Sequence, residues 1–202
     1  MTSFLIVVAA MAFFGIVHSL TAGMQLRRRL HPIFGERVVA GWYRLAYNIL
    51  SGITLLPALA AVAILPADVI YAVPLPWALL MRGLQLIGLL GLAVAATAFD
   101  LFRFIGIAQA LAFLEGKELP LLSEPLNTGG VYRIVRHPLY FFSLLIIWPN
   151  PTMTTTLLAF NLAATLYFFI GSRVEEQRLL AMHGEDYAKY RQEVHGGIIP
   201  LP

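Results

Sequence analysis

Two polar clusters interrupt an otherwise apolar chain, and their residue types suit group-transfer chemistry. The first reads Gly130-Val131-Tyr132-Arg133-Ile134-Val135-Arg136-His137-Pro138-Leu139-Tyr140. The second begins Arg173-Val174-Glu175-Glu176-Gln177-Arg178-Leu179 and continues through His183-Gly184-Glu185-Asp186-Tyr187 to Tyr190. Pro138 is expected to remove a backbone donor and free a carbonyl one turn back. Polar backbone at membrane depth is tolerated only where it lines protein or a cavity. Glu175 and Glu176 lie just past an apolar run, where acids are costly unless they pair. A short hairpin separates the clusters, so both reach one edge of the apolar layer. The result is a polar pocket beside an apolar interior, able to hold a polar cofactor at one end and a lipophilic acceptor at the other.

Taken singly, each residue has a plainer reading. His137 can anchor the chain at an interface, and Arg133 and Arg136 can hold lipid phosphates. Glu175 and Glu176 can be solvated acids paired along the helix with Arg178. Tyr187 and Tyr190 can form an aromatic belt. The order and spacing of the whole set favour a site.

The elements that must carry these residues are membrane helices. The 202 residues are 59% hydrophobic and 12% charged, with mean hydropathy +0.76. Soluble domains carry about twice that charge density, so a soluble, disordered or collagen-like chain is excluded. The sequence has 0 Cys, which removes disulfides, thiolate metal sites and thiol catalysis. Metal binding by His18 and His31 is not expected, because no paired spacing supports it. His18 instead suits an interhelical hydrogen bond to Asn48 or Ser51 and possible lining of the substrate side.

Five spans are expected. They are Phe4–Leu20, Tyr43–Leu65, Trp77–Ala98 (with a pattern running on toward Gln109), a shorter Val131–Trp148, and Met153–Ile170. Gly83, Gly88 and Gly91 read as small packing residues of the third span. Residues 111–130 read as a loop, and Pro149-Asn150-Pro151 as a tight turn. With the N-terminus outside, segments 21–42, 99–138 and 171–202, together with Arg44, are cytoplasmic. They hold every Lys and Arg except Arg82, as the positive-inside rule requires. The net charge of +3 therefore reports orientation rather than nucleic-acid binding. The expected fold is a single all-α integral membrane domain, 1–202, with a cytoplasmic C-terminal helical segment. Residues 1–110 carry the first three spans, and 111–202 the cofactor-binding part with a transmembrane hairpin.

The Gly-Val-Tyr…Arg-His-Pro-Leu-Tyr segment, the Glu-Glu pair followed by Leu179, and the Gly-Glu-Asp-Tyr…Tyr ending resemble the isoprenylcysteine carboxyl methyltransferase and phospholipid methyltransferase superfamily. The N-terminal half, with His18-Ser19, Tyr43-Arg44-Leu45-Ala46-Tyr47-Asn48 and Asp100…Gly106…Gln109, is similar to bacterial NnrU-like and methanethiol S-methyltransferase-like members. The resemblance implies an inner-membrane enzyme that uses S-adenosylmethionine. It also implies a cofactor pocket from Glu124, Pro125, Leu126, Asn127, Tyr132, His137, Pro138, Leu139, Tyr140 and Glu175, with Gln109 as the polar residue of the preceding span. Arg173 stands nearest the arginine that the family places by the acceptor. Many members carry Gly where this chain has Phe142, a ring expected to narrow a channel.

The residue chemistry suits such a reaction. In-line methyl transfer needs alignment and dryness rather than a metal or a covalent intermediate. Glu175 and the carbonyl near Pro138 suit the cofactor's ammonium. Arg136 or the helix start after Gly130 suits its carboxylate. Tyr132, Tyr140 and Leu179 suit its adenine. Arg173 suits an anionic thiol or carboxylate acceptor, whereas an amine needs a base such as Glu176 or His137. The expected acceptor is a small or lipid molecule. The competing readings are an NADPH-dependent membrane reductase and a non-catalytic NnrU-like membrane protein. Leu139 before Tyr140, and the lack of an arginine cluster ahead of Glu175, weigh against NADPH.

Overall fold

The computed structural model describes residues 1–122 and 125–200. Among the described residues, four helices are long and apolar enough to cross a membrane: α1 (Thr2–Ala22), α3 (Glu36–Ile64), α4 (Trp77–Ala96) and α8 (Thr155–His183). Large apolar side chains stand exposed along them, among them Ile16, Leu56, Leu90 and Leu166. Soluble monomers do not show contiguous apolar surface on that scale. The chain is an all-helical integral membrane protein, with one short strand pair among the described residues.

The chain forms two compact units, residues 1–65 with 99–124 and residues 66–98 with 125–202. In the first unit, α1 packs against α3. His18 bonds through Nδ1 to Ser51 Oγ at 3.0 Å and through Nε2 to the Tyr47 hydroxyl at 2.5 Å. Asn48, the other partner expected for His18, instead donates to the carbonyls of Arg44, Phe104 and Ile105. The helical pattern of the third span does not run on to Gln109. α4 stops at Ala96, Asp100 accepts from the Arg103 amide at 3.0 Å to begin α5 (Leu101–Ile105), and Gly106 breaks the chain again. Gly106 has φ +97° and lies against the Leu45 backbone, where no Cβ fits. α6 (Ile107–Leu114) follows, so the first residues of the expected 111–130 loop are helical.

In the second unit, α4 packs along α7 (Pro138–Ile147). α7 is the element expected as a fourth span over Val131–Trp148. Its ten residues reach about 15 Å, half the thickness of the hydrocarbon core. Polar side chains take up the carbonyls at its end. Gln85 donates to Ile146 O at 2.9 Å, and Asn161 to Ile147 O at 2.8 Å. Those two amides satisfy the last two carbonyls of a helix that stops inside an apolar bundle. Beyond α7, β2 (Thr152–Thr154) pairs antiparallel with β1 (Val69–Ala72), setting Tyr71 opposite Met153 and Ala72 opposite Thr152. This pairing ties the connection before α4 and the one after α7 to the same end of the unit. Thr154 caps α8 by accepting from the Leu157 amide.

The glycines of α4 divide by environment. A Cβ on Gly91 would collide with the Phe142 ring, and one on Gly88 would lie 3.1 Å from the α7 backbone at Leu145 and Ile146. Gly83, read from sequence as a third packing glycine, faces open space. Phe142 therefore fills the α4–α7 seam rather than a channel. Gly88→Ala is expected to lose about 1–3 kcal/mol by overpacking. Gly83→Ala is expected to gain about 0.5–1 kcal/mol from helix propensity. Unfolding of the two variants in the same detergent checks the opposite signs.

Candidate functional site

The site lies in the second unit, where α8 runs on past the length of a membrane span. Its 29 residues measure about 43 Å against a core of about 30 Å. Arg173, Glu175 and Glu176 therefore sit on the same rigid helix as the span expected at Met153–Ile170. Gly184, at φ +52°, ends α8. Glu185 and Asp186 occupy the first turn of α9 (Glu185–Glu193), where the helix dipole favours acids.

Before α7 the chain makes one 3-10 turn, Gly130–Arg133, too short to offer the anion-binding helix start expected after Gly130. It then straightens through Arg136 and His137. The Arg136 amide donates to Gly196 O at 2.9 Å, and the His137 amide to Gly197 O at 3.1 Å. Pro138 is the first residue of α7, where its missing donor costs nothing. It thus frees no helical carbonyl, contrary to the sequence expectation.

Arg136 and Glu176 form a nearly buried ion pair. Nε and Nη2 donate to Glu176 Oε1 at 2.9 and 2.6 Å, and the two side chains are 11% and 12% exposed. Arg136 Nη1 donates to the carbonyls of Val194 and His195. All three guanidinium nitrogens are thus engaged inside the protein, which leaves Arg136 little to offer the cofactor carboxylate assigned to it from sequence. Glu176 is no solvated acid paired with Arg178; its partner lies 40 residues back. His137 is 3% exposed, with Nε2 3.3 Å from Glu176 Oε1 and Nδ1 3.3 Å from Glu175 Oε2. A protonated ring donates to both carboxylates, a neutral ring to one. Its face stacks on Tyr140, with centroids 5.5 Å apart, and Tyr140 stacks on Phe168 at 5.0 Å.

Glu175 is 47% exposed and free to meet a ligand. A cleft of about 210 Å³ is lined by Arg173, Glu176, Gln177, Leu180 and Arg191, from α8 and α9. Arg173 lies over the Phe169 ring at 5.0 Å, and Arg191 Nε is 3.9 Å from Glu176 Oε2.

Around this core, Leu126, Tyr132 and Leu179 pack on a buried cluster of Tyr187, Tyr190 and Val194. The Tyr190 hydroxyl donates to Tyr132 O at 2.6 Å. The two C-terminal tyrosines are core rather than belt residues. Burial, then the charge of Glu176, pushes the Tyr187 hydroxyl up to about 12, against the pull of Arg136. Burial raises Tyr190 as well. A native phenol stays neutral where the unfolded one ionises, so this stabilisation is full below about pH 10. It is expected to fade as pH rises from about 10 toward 12. Tyrosinate absorbance should show part of the 8 tyrosines ionising only with loss of α9, and Tyr187→Phe should reduce that late fraction. Simultaneous titration of all of them near 10 would contradict the packing.

Of the remaining sequence candidates, Asn127 braces its own loop, donating to Ala98 O at 2.9 Å and accepting from the Gly129 amide. Pro125 and Leu139 flank residues of the site in the chain. Gln109 belongs to the first unit, where Nε2 donates to Arg103 O and Oε1 is buried without a partner. Glu124 lies outside the described residues. Sequence reasoning missed Arg191, Phe168 and the carbonyls of residues 194–197.

The sequence profile of the phospholipid methyltransferase family matches residues 80–186, a stretch that includes His137, Glu175 and Glu176. The chain belongs to that family. Methanethiol S-methyltransferase of Crocosphaera subtropica is 40% identical over 96 residues, 48% of this chain and 36% of that protein. The Pseudomonas deceptionensis protein of the same name is 36% identical over 111 residues, 54% of this chain and 41% of that one. Protein-S-isoprenylcysteine O-methyltransferase of Schizosaccharomyces pombe is 37% identical over 87 residues, 38% of this chain and 34% of that protein. The matched stretch thus spans well under half the length of these curated relatives. No solved structure matches the chain.

Proposed function

We propose that this chain is an S-adenosylmethionine-dependent membrane methyltransferase that acts on a small or lipophilic acceptor. In this reading its site opens on the cytoplasmic face of a bacterial inner membrane and the N-terminus lies outside. The observation that carries the reading is the half-exposed Glu175 carboxylate beside the stacked rings of buried His137 and half-buried Tyr140, within the stretch that matches a methyltransferase family. The donor set suits the cofactor. Glu175 offers a carboxylate to its ammonium, while Tyr140, Tyr132 and Leu179 offer aromatic and apolar surface to its adenine. S-adenosylmethionine supplies, when bound, an electrophilic methyl group on a sulfonium.

The protein's own groups do the rest. Arg136 and Glu176 hold the His137 segment against the carbonyls of residues 194–197, which fixes Glu175 relative to α7. The cleft is below the roughly 300–1,000 Å³ of sites for drug-sized ligands, a size that suits an acceptor head group. It holds the guanidiniums of Arg173 and Arg191 against the single carboxylate of Glu176, which Arg136 and Arg191 share. That balance favours an anionic nucleophile, thiolate or carboxylate, over a protonated amine.

The test is calorimetric binding of S-adenosylhomocysteine to the detergent-purified protein, beside NADPH and a Glu175→Ala variant. Saturable binding that weakens at least tenfold in Glu175→Ala, with unfolding unchanged, is the expected result. Binding of NADPH alone would move the protein to the reductases. Binding of neither by a folded sample would leave the non-catalytic reading.

A further inference from the structure

The first unit carries a basic helix that the proposed reaction does not use. α2 (Met24–Phe34) joins α1 to α3 between Gly23 and Gly35, the latter at φ +83°. Because α1 and α3 pack side by side as spans, their short connecting helix runs at the boundary of the apolar layer. None of its residues is fully buried.

Its sequence divides into two faces at about 100° per residue. Leu26, Leu30, Ile33 and Phe34 fall within one arc. Arg27, Arg28, Arg29 and His31 fill the other side, with Arg27 and Arg29 at the edges of the apolar arc. Ile33 and Phe34 are 69% and 58% exposed, which no aqueous surface favours. No acidic residue occurs before Glu36. Among the described residues, no carboxylate lies within ion-pair distance of Arg27, Arg28, Arg29 or Arg37. By contrast, Arg103, Arg136 and Arg191 each have one.

We infer that α2 lies in the membrane interface and is a docking surface for acidic phospholipids. Its apolar arc sits at the acyl boundary and its arginines contact lipid phosphates. Charge complementarity selects this occupant, since unpaired guanidiniums next to exposed apolar side chains match a phosphate head attached to an acyl chain. A soluble anion satisfies the arginines alone and leaves Ile33 and Phe34 in water. Each basic residue near such a surface contributes about a fivefold preference at moderate salt.

The test uses the whole protein in nanodiscs made from equal parts phosphatidylcholine and phosphatidylglycerol. After gentle transfer to detergent, the lipids still bound are counted by native mass spectrometry. Both leaflets are identical, so insertion orientation does not enter. The wild-type protein is expected to retain phosphatidylglycerol roughly tenfold or more over phosphatidylcholine. Arg27→Lys/Arg28→Lys/Arg29→Lys should keep the preference, Arg27→Gln/Arg28→Gln/Arg29→Gln should lose it, and high salt should weaken it. Circular dichroism checks that the Gln variant is folded. Unfolding of that variant would be replaced by single Gln substitutions, each expected to lower the ratio about fivefold. Retention equal to the mole fraction in the wild type would overturn the inference. So would a preference unchanged by the Gln variants, or one abolished by inorganic phosphate at millimolar concentration.

Discussion

Replacing Glu176 with alanine is expected to destabilise the protein by about 3–5 kcal/mol and to abolish ligand binding with it. Both members of the Arg136–Glu176 pair are about nine-tenths shielded from solvent. Removing the carboxylate leaves a buried guanidinium facing only the carbonyls of Val194 and His195. It also takes the acceptor from His137 Nε2 and the near anion from Arg191. The cost is the desolvation of the charge left behind rather than the strength of the pair. Arg136→Met/Glu176→Leu, which removes both charges, is therefore expected to cost less than either single change. A double-mutant cycle by SDS titration in mild detergent checks this. Glu175→Gln on the adjacent position supplies the contrast. Its carboxylate is 47% exposed, so its loss is expected to move stability by less than about 1 kcal/mol. Equal effects at 175 and 176 would refute the assignment of the inner and outer acid.

That assignment marks the limit of what the sequence can tell. The spacing places a Glu-Glu pair just beyond an apolar run, and the structure brings it to His137 as expected. Consecutive helix residues, however, point about 100° apart, and which of the two turns inward depends on where α7 packs. That in turn depends on a contact 40 residues away. The half-length of α7 had a local signal, the amides Gln85 and Asn161 inside apolar runs, since a buried amide needs a partner. The β1–β2 pairing had none, because its partners are some 80 residues apart in the chain and both strands are very short. Phe142 reads as a channel obstruction only until Gly91 is known to face it. Arg191 stands among the alternating charges of a solvated helix, where its type and spacing look ordinary. Its place in the cleft comes from α9 folding back through the Tyr187–Tyr190 cluster.

Arg191→Gln is accordingly expected to lower kcat/KM for an anionic acceptor by about 10²-fold or more, while S-adenosylhomocysteine affinity changes by less than about threefold. The argument is electrostatic. The cleft contains Arg173, Arg191 and Glu176, and the Glu176 charge is already balanced by Arg136. A thiol entering there meets a net positive charge, because Arg136 and Arg191 share the one Glu176 carboxylate and Arg173 adds a further cation; an opposite charge within about 4–6 Å lowers a pKa by roughly 1–3 units. The thiol sheds its proton to water, and Arg173 and Arg191 hold the thiolate in line for the methyl group that S-adenosylmethionine would supply. Removing one cation should therefore move the acid limb of the kcat/KM profile for an alkyl thiol to higher pH, which a merely structural role for Arg191 does not do. A carboxylate acceptor of matched chain length should lose rate without that shift, being ionised throughout. An alkylamine of matched length should be a poor acceptor for the wild-type protein. Its turnover by the wild type at rates similar to the thiol's would show that the two arginines do not select the nucleophile.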